Sequence, residues 1–186
     1  YTRPGRDRLY AKVVKIYGKG SSAKVCADAI LEQNNIPARF PEEVLAEAEK
    51  IGSTPISEED LKGRLDLRDI AIFTIDSASA KDLDDAISVS RTRSGGYKLG
   101  VHIADVSHYI KEGTALDEEA ISRGTSVYFA DRVVPMLPEA LSNGVCSLNA
   151  GEDKLTFSAI IHLDGEGNME KYEFRKSIIR SKVRGV

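Results

Sequence analysis

Four aspartates lie close together in the sequence and could do chemistry as a group: Asp76, Asp82, Asp84 and Asp85. Carboxylates held near one another repel, and protonation or a bound cation relieves that repulsion. Carboxylate oxygens without a nearby histidine or cysteine suit Mg²⁺, with Mn²⁺ as a substitute. Two such ions about 4 Å apart can activate water and stabilise the leaving oxygen of a phosphodiester. The cluster therefore indicates metal-assisted phosphodiester hydrolysis, and a solvated acidic loop is the alternative.

Other kinds of metal site fit this sequence poorly. An EF-hand calcium loop needs alternating ligands, a central glycine and a terminal glutamate, and the aspartate segment lacks that arrangement. A zinc site is not expected from three scattered histidines and two distant cysteines. We expect Cys26 and Cys146 to be buried free thiols, with a disulfide as the alternative. His102 and His108 fall in an apolar stretch and are predicted to pack or to form hydrogen bonds.

The aspartates lie between two predicted strands. The continuous apolar run Ile70–Ile75 predicts a strand that ends directly before the first aspartate. A second strand, Ala86–Ser90, begins directly after the last one. A third, Tyr97–Ala104, follows a Ser94-Gly95-Gly96 hairpin turn. Neighbouring strands would thus bring carboxylates from separate backbone segments into one cleft.

The rest of the chain is predicted to mix helices and strands, which gives an α+β fold with a mostly antiparallel sheet. Two helix starts are marked by Pro41 before two glutamates and by Ser57 with Asp60 three residues later. The other predicted elements are strands at 9–17 and 23–31, a helix at 114–124 with Leu116, Ala120 and Ile121 on one face, an extended segment at 127–129, a helix at 138–143, and two strands around a turn at 164–168.

Charge is distributed unevenly along the 186 residues. The net charge of −3 and the pI of about 5.7 argue at first against a nucleic-acid partner. However, residues 1–24 carry seven basic side chains against one acid, and residues 171–186 carry six against one. Basic segments around an acidic pocket suit a phosphate polymer that must reach metal ions. Solvated surface charge is the alternative for each segment.

Composition narrows the class of protein. Hydrophobic residues make up 41% and charged residues 30% of the chain, which is typical of a globular protein. No run of about 18 apolar residues predicts a membrane span, and the first residues show no signal-peptide pattern. Both ends are abrupt. We therefore expect a monomeric, cytoplasmic fragment of a longer protein, without a membrane partner.

Several distinctive motifs follow one another in the chain. They are Asp66-Leu67-Arg68-Asp69, Thr74-Ile75-Asp76, Ala80-Lys81-Asp82-Leu83-Asp84-Asp85-Ala86-Ile87, Val101–Tyr109, Val133–Pro138 and Leu141–Leu148. Together they resemble the ribonuclease II and ribonuclease R family of exonucleases, which share the RNB domain. The resemblance covers about residues 66–186 and is closer to bacterial ribonuclease R. Ser77-Ala78-Ser79 stands where many ribonuclease R sequences have Gly-Glu-Asp, so the branch stays open.

The resemblance implies a role for each candidate site residue. Asp76 and Asp85 match Mg²⁺-ligating aspartates of the family, and Asp82 matches a further carboxylate of the metal site. Asp84 matches the aspartate whose loss abolishes the chemistry. Tyr128 matches an aromatic residue that clamps the nucleotide at the reacting 3′ end, where stacking can hold any base without reading its identity. Without the resemblance, Tyr128 is interpreted as a core aromatic residue.

The resemblance also implies a domain organisation and an activity. Residues 1–36 resemble the end of a cold-shock (OB-fold) domain, 37–65 would form a helical connector, and 66–186 would be the first part of an RNB catalytic domain. Later family motifs, with an arginine and a glutamate of the site and an S1 domain, have no counterpart.

The implied activity is Mg²⁺-dependent, processive 3′→5′ hydrolysis of single-stranded RNA to 5′-nucleotides. A non-catalytic RNA-binding fragment or degenerate homologue is the alternative. Another Mg²⁺-dependent phosphoryl-transfer enzyme would need a longer glycine-rich loop than Gly18-Lys19-Gly20.

Overall fold

The computed structural model describes residues 11–129 and 132–186, which divide into two units. The larger unit contains residues 40–126 and 135–186 and carries all four candidate aspartates. The described part of the smaller unit contains residues 11–39, 127–129 and 132–134. In the described part of the chain, no helix is long and apolar enough to cross a membrane.

The described secondary structure consists of nine strands, five α-helices and one π-helical segment. The strands are β1 Leu65–Asp66, β2 Phe73–Ile75, β3 Asp85–Arg91, β4 Tyr97–Ala104, β5 Val127–Tyr128, β6 Val133–Val134, β7 Asp153–Leu163, β8 Met169–Arg180 and β9 Val183–Gly185. The helices are α1 Ala23–Gln33, α2 Glu42–Ser53, α3 Glu58–Leu61, α4 Val106–Tyr109 and α5 Ala115–Arg123, and the π-helical segment is Ala140–Val145.

A seven-stranded sheet in the larger unit has the order β1-β8-β7-β4-β3-β2-β9. The short strands β1 and β9 run parallel to β8 and β2, and every other neighbouring pair in this sheet is antiparallel. Strands β5 and β6 form a separate hairpin in the smaller unit. The predicted α+β class with a mostly antiparallel sheet is confirmed.

One face of the sheet is buried against helices. Because side chains alternate along a strand, Ala86 of β3, Ala104 of β4 and Ile160 of β7 point to the same side. They form one apolar cluster with side chains of α2, α5 and the π-helical segment. The fully buried members contributed by those three helical elements are Val44, Ala48, Leu116 and Leu141.

The opposite face of the sheet carries aliphatic and aromatic side chains that stay largely exposed. Phe157 and Phe174 stack with ring centroids 6.1 Å apart, and both are more than 40% exposed. Asp85 pairs with Ile103, and Ile103 pairs with Phe157, so these three side chains share this open face. The last of the four candidate aspartates in the sequence therefore stands at the open side of the sheet.

Three helices predicted from the sequence are present, and two of them were predicted from their start signals. Ser57 and Asp60 form the reciprocal hydrogen bonds of a capping box at α3. Thr114 caps α5, which ends at Gly124 in the left-handed conformation (φ 70°). The helix that follows Pro41, α2, has two acids in its first turn, as expected.

Other predictions of secondary structure were wrong. Residues 23–31 belong to helix α1, where Ser22 accepts a hydrogen bond from the Val25 N–H, and residues 11–17 form no strand. The strand before the aspartates spans three residues rather than six, because Ile70 lies in a turn closed by its N–H on the Leu67 carbonyl. The helix predicted at 138–143 is instead the π-helical segment.

Two predictions about burial were also wrong. Ile121 is 73% exposed, because it lies five residues, about 140° around the helix, from the buried Leu116. Cys146 is buried as expected, but Cys26 is exposed on α1, and both are free thiols.

Candidate metal centre

The aspartate loop, residues 76–85, joins β2 to β3. Its first residue, Asp76, continues the pairing of β2 with β9, since its N–H donates to the Gly185 carbonyl at 3.2 Å. Its last residue, Asp85, begins β3. The two strands are paired through Phe73 and Ile87. The sheet therefore fixes both ends of the loop close together, as the sequence predicted.

The middle of the loop is anchored through Leu83, which is 3% exposed between two aspartates. The Leu83 N–H donates to Ser147 Oγ at 3.0 Å, and the Ser147 hydroxyl donates to the Lys81 carbonyl at 2.9 Å. The Leu148 N–H donates to the Leu83 carbonyl at 2.8 Å. Residues 64 or more positions away in the sequence thus hold the backbone on both sides of Asp82.

The start of the loop is held by an arginine. The guanidinium of Arg184 on β9 donates to the carbonyls of Ser77 and Ala80, the latter at 2.9 Å. Ala80 also donates its N–H to the Ser77 carbonyl, which closes a turn. At the end of the loop, the Ala104 N–H donates to the Asp84 carbonyl at 3.0 Å. These hydrogen bonds therefore tie the loop to β9 and β4.

The charges of the loop raise the pKa of Asp84. Partial desolvation by the surrounding chain is the first cause, even though Asp84 is exposed by accessible area, and the charges of Asp82, Asp85 and Asp76 act in the same direction. The other three carboxylates of the loop thus act on Asp84. Such repulsion among like charges is the condition that a bound cation relieves.

One carboxylate oxygen in the loop has no partner among the residues that the structure describes. Oδ2 of Asp76 is buried and accepts no hydrogen bond from any residue that the structure describes. Leaving a buried charged acceptor unsatisfied destabilises a fold by roughly 1–3 kcal/mol or more, so native structures rarely do it without a ligand or water. This oxygen points to a bound cation or an ordered water at the loop.

The residues fit Mg²⁺ as an open half-site rather than as a closed cage. Over residues 11–129 and 132–186, no group of three or more His, Cys, Asp or Glu side chains is gathered to hold a metal ion by itself. Mg²⁺ keeps several of its waters and is usually bound by one or two carboxylates together with substrate phosphates. Hard oxygen donors, one of them buried and unpaired, match that mode of binding.

Tyr128 lies in the smaller unit, on the β5–β6 hairpin. It pairs with Val133, and its side chain is 67% exposed, so it is not a core aromatic residue. The hairpin continues with a hydrogen bond from the Phe129 N–H to the Arg132 carbonyl at 2.8 Å. An exposed aromatic ring is suited to stacking on a base.

The buried histidine has a structural role, as predicted. His102 is fully buried, with Nδ1 2.7 Å from Ser158 Oγ and Nε2 3.0 Å from Ser88 Oγ. Burial lowers its pKa to about 4. Gly100 leaves room for this arrangement, because a Cβ at that position would lie 2.6 Å from Nε2. His108 Nε2 lies 3.1 Å from Asp60 Oδ1, so His108 also makes a contact within the fold.

Part of the basic segment at 171–186 serves the fold. Arg180 forms an ion pair with Asp153 at 2.7 Å, and Lys182 donates to the Arg68 carbonyl at 2.7 Å. Arg184 holds the aspartate loop. Sequence interpretation missed Arg184 and Ser147 as site residues. Ser147 belongs to the Leu141–Leu148 motif, but nothing in its local sequence shows that its hydroxyl reaches the loop.

Comparison with known sequences identifies relatives for nearly the whole chain. The RNB domain family matches residues 64–185. Ribonuclease R of Thermotoga maritima is 50% identical over 186 residues, which is 99% of this chain and 26% of the relative. Ribonuclease R of Escherichia coli K12 is 39% identical over 96% of this chain and 22% of the relative. The chain therefore spans about a quarter of the length of these curated relatives.

Solved structures give the same result. Mycoplasma genitalium RNase R, in complex with ribose-methylated single-stranded RNA, matches with a TM-score of 0.85 and 34% identity over 91% of this chain and 26% of that chain. Yeast Ssd1, described as a pseudonuclease, matches with a TM-score of 0.75 at 23% identity over 88% of this chain and 21% of that chain. The latter similarity shows the fold alone.

Proposed function

The chain belongs to the RNB domain family, and from that premise we propose that it supplies the metal-binding loop of a Mg²⁺-dependent exoribonuclease. In this proposal the whole protein hydrolyses single-stranded RNA processively, in the 3′→5′ direction, to 5′-nucleotides. Support comes from curated relatives named ribonuclease R and from the relative solved with single-stranded RNA. Because the chain spans about a quarter of those relatives, the activity is proposed for the whole protein.

The observation that carries the proposal is the group of four like charges on one anchored loop. The pKa of Asp84 is raised by desolvation and by its three aspartate neighbours, and Asp76 presents a buried oxygen with no partner among the described residues. A carboxylate whose pKa is raised by burial and by neighbouring like charges is a candidate for a functional site. The phosphodiester of RNA is itself anionic, so a bare loop would repel it.

The proposed chemistry divides the work among the aspartates. Mg²⁺, when bound, would neutralise this repulsion, polarise the phosphodiester and lower the pKa of a water molecule. Asp76 and Asp85 would hold the ion with carboxylates from the end of β2 and the start of β3, and Asp82 would supply a further ligand. Asp84, whose pKa is raised, would orient the attacking water or the ion through its carboxylate oxygens.

Tyr128 is proposed to position the terminal nucleotide by stacking. Its support is the exposed ring on a short hairpin and the family resemblance. Stacking of an aromatic ring on a base contributes roughly 1–3 kcal/mol and tolerates every base. An exonuclease that removes nucleotides one after another needs this kind of contact, because the terminal base changes at each step.

The test uses the full-length protein that contains this chain. A 5′-labelled single-stranded RNA is digested in Mg²⁺ or EDTA by the wild type, by Asp84→Asn and by Asp164→Asn. Asp164 lies in the β7–β8 turn, where an asparagine can still accept hydrogen bonds through its side-chain oxygen. We expect the label to end in very short products only with Mg²⁺, and only with Asp84 intact. Equal digestion by Asp84→Asn, or digestion in EDTA, would falsify the mechanism.

A second candidate function is RNA binding without catalysis. It is favoured by the exposed basic side chains of β8, which are Lys171, Arg175 and Lys176. In that case, RNA would remain intact in every lane of the digestion. Binding would be equally tight in EDTA and would weaken steeply as salt is added, because it would rest on basic side chains alone.

A further inference from the structure

The geometry points to Ser147 as a positioning residue for Asp82, an inference that rests on the proposed metal-dependent function. One hydroxyl contacts both peptide groups that flank this aspartate. It accepts from the Leu83 N–H at 3.0 Å and donates to the Lys81 carbonyl at 2.9 Å. The two bonds fix the backbone before and after Asp82 and so set the direction of its side chain. Ser147 itself does not ligate the ion in this proposal.

The other loop aspartates are positioned in a different way. Asp76 and Asp84 are held by backbone hydrogen bonds, from the Asp76 N–H to Gly185 and from the Ala104 N–H to the Asp84 carbonyl. Asp85 is part of strand β3. Around Asp82, by contrast, one side-chain hydroxyl contacts both flanking peptide groups. A substitution at Ser147 should therefore act on Asp82 more than on its neighbours.

Ser147 is rigid enough to serve as such an anchor. Ser147 and Leu148 are fully buried, and Cys146 is almost fully buried. Its own N–H donates to the Gly144 carbonyl at 3.1 Å, and Lys154 donates to the same carbonyl at 2.8 Å. In a site closed to water, these hydrogen bonds are stronger than they would be at the surface.

The preceding backbone explains how Ser147 reaches the loop. The chain leaves the π-helical segment through Gly144, which has non-helical torsion angles (φ −101°, ψ −109°). This kink turns the following residues toward the aspartate loop, where the Leu148 N–H adds a backbone hydrogen bond to Leu83. Single-turn π-helical segments occur often at functional sites.

Asn149 also contacts the anchor. Its side-chain oxygen lies 3.2 Å from Ser147 Oγ, and its amide donates to the Asn143 carbonyl at 3.4 Å. The single hydroxyl proton is therefore offered to two acceptors, of which the Lys81 carbonyl is the nearer. The acceptor role toward Leu83 does not depend on that choice.

The test compares Ser147→Ala with Ser158→Ala in the full-length protein. Ser158 is an equally buried hydroxyl whose hydrogen bonds go to His102 and Ser177 rather than to the aspartate loop. Mn²⁺ binding is measured by electron paramagnetic resonance, and RNA hydrolysis is measured against Mg²⁺ concentration. We expect Ser147→Ala to weaken Mn²⁺ binding and to raise the Mg²⁺ midpoint by about tenfold, as is common for residues that orient ligands. KM for RNA at saturating Mg²⁺ should stay unchanged.

A double-mutant cycle makes the inference specific. If Ser147 acts through Asp82, Ser147→Ala should have no further effect on Mn²⁺ affinity in an Asp82→Asn background. Full additivity, an unchanged metal midpoint in Ser147→Ala, or an equal shift in Ser158→Ala would each overturn the assignment. The Mn²⁺ measurement is independent of turnover, so it separates failure of this inference from failure of the proposed nuclease activity.

Discussion

Asp84 and Asp105 lie in the same unit, and their surroundings shift their pKa values in opposite directions. Asp105 is only 4% exposed, and burial alone would raise its pKa, but the hydrogen bond and charge of Arg64 hold that pKa below its ordinary value. Asp84 is exposed by accessible area, yet its pKa is raised. Asp105, although more buried, is thus more stable as an anion than Asp84. The reason is that Asp105 lies beside the cation of Arg64, whereas Asp84 lies among further carboxylates.

The partner of Asp105 is held by several contacts. Arg64 donates to Asp105 Oδ2 at 2.7 Å and to the Asp60 carbonyl at 2.7 Å, and it reaches the Thr156 carbonyl at 3.3 Å. Both members of the ion pair have side chains only 3% exposed. This network joins the segment before β1 to the ends of β4 and β7. It is a structural charge pair.

The comparison separates two uses of the same residue type. Where an aspartate stabilises the fold, the sequence supplies a cation at hydrogen-bonding distance. In the aspartate loop, the desolvation and all of the neighbouring charges acting on Asp84 raise its pKa. Fixed like charges that destabilise the free protein are expected where a ligand provides the missing charge.

The largest expected effect is the loss of the cation from the structural pair. Arg64→Met leaves Asp105 buried without its partner, so we expect a loss of roughly 3–5 kcal/mol in the free energy of unfolding. Urea denaturation at pH 7 measures it. Lys62→Met is the control, because Lys62 pairs with Glu59 at the surface, where solvent screens the charges. If both variants lost the same small amount, the buried pair would not be structural.

The next effect concerns His102, a buried side chain whose lowered pKa keeps it neutral at pH 7. The unfolded chain protonates His102 near pH 6.5, whereas the folded chain protonates it only near its pKa of about 4. Between these values the unfolded state binds more protons, so stability should fall as the pH is lowered, by up to about 3 kcal/mol. Urea denaturation at pH 7, 5.5 and 4.5 measures the slope. His102→Gln should lack this component, and an identical slope in that variant would contradict the assignment.

The smallest expected effect is a gain. In EDTA at pH 7, Asp84→Asn removes one charge from the repelling group, so the free energy of unfolding should rise. The gain should stay below about 1 kcal/mol, because Asp84 partly faces solvent that screens the repulsion. Thermal unfolding measures it, with Asp164→Asn as the control. A destabilised Asp84→Asn variant would mean that the four carboxylates do not repel one another in the folded protein.

Local sequence patterns predicted the position of the aspartate loop better than they predicted the secondary structure of the rest of the chain. The aspartate loop lies where the sequence predicted, between two paired strands, and the β3–β4 and β7–β8 hairpins are present. Hairpin turns and helix caps depend on residues a few positions apart, so a single sequence can show them. The pattern at 23–31 failed because its apolar residues also fit one face of a helix, and the cap at Ser22 decided for the helix. The roles of the individual aspartates and of Tyr128 stay predictions.

The sequence by itself determined the residues of the candidate centre: four carboxylates in one short loop, with apolar segments on both sides. Only the tertiary structure decided how they are held. The parallel pairing of β9 with β2 brings Arg184 to the start of the loop, and the kink at Gly144 brings Ser147 to its middle. These contacts join residues more than 60 positions apart, and burial of one sheet face, rather than any local pattern, determines which distant segments meet.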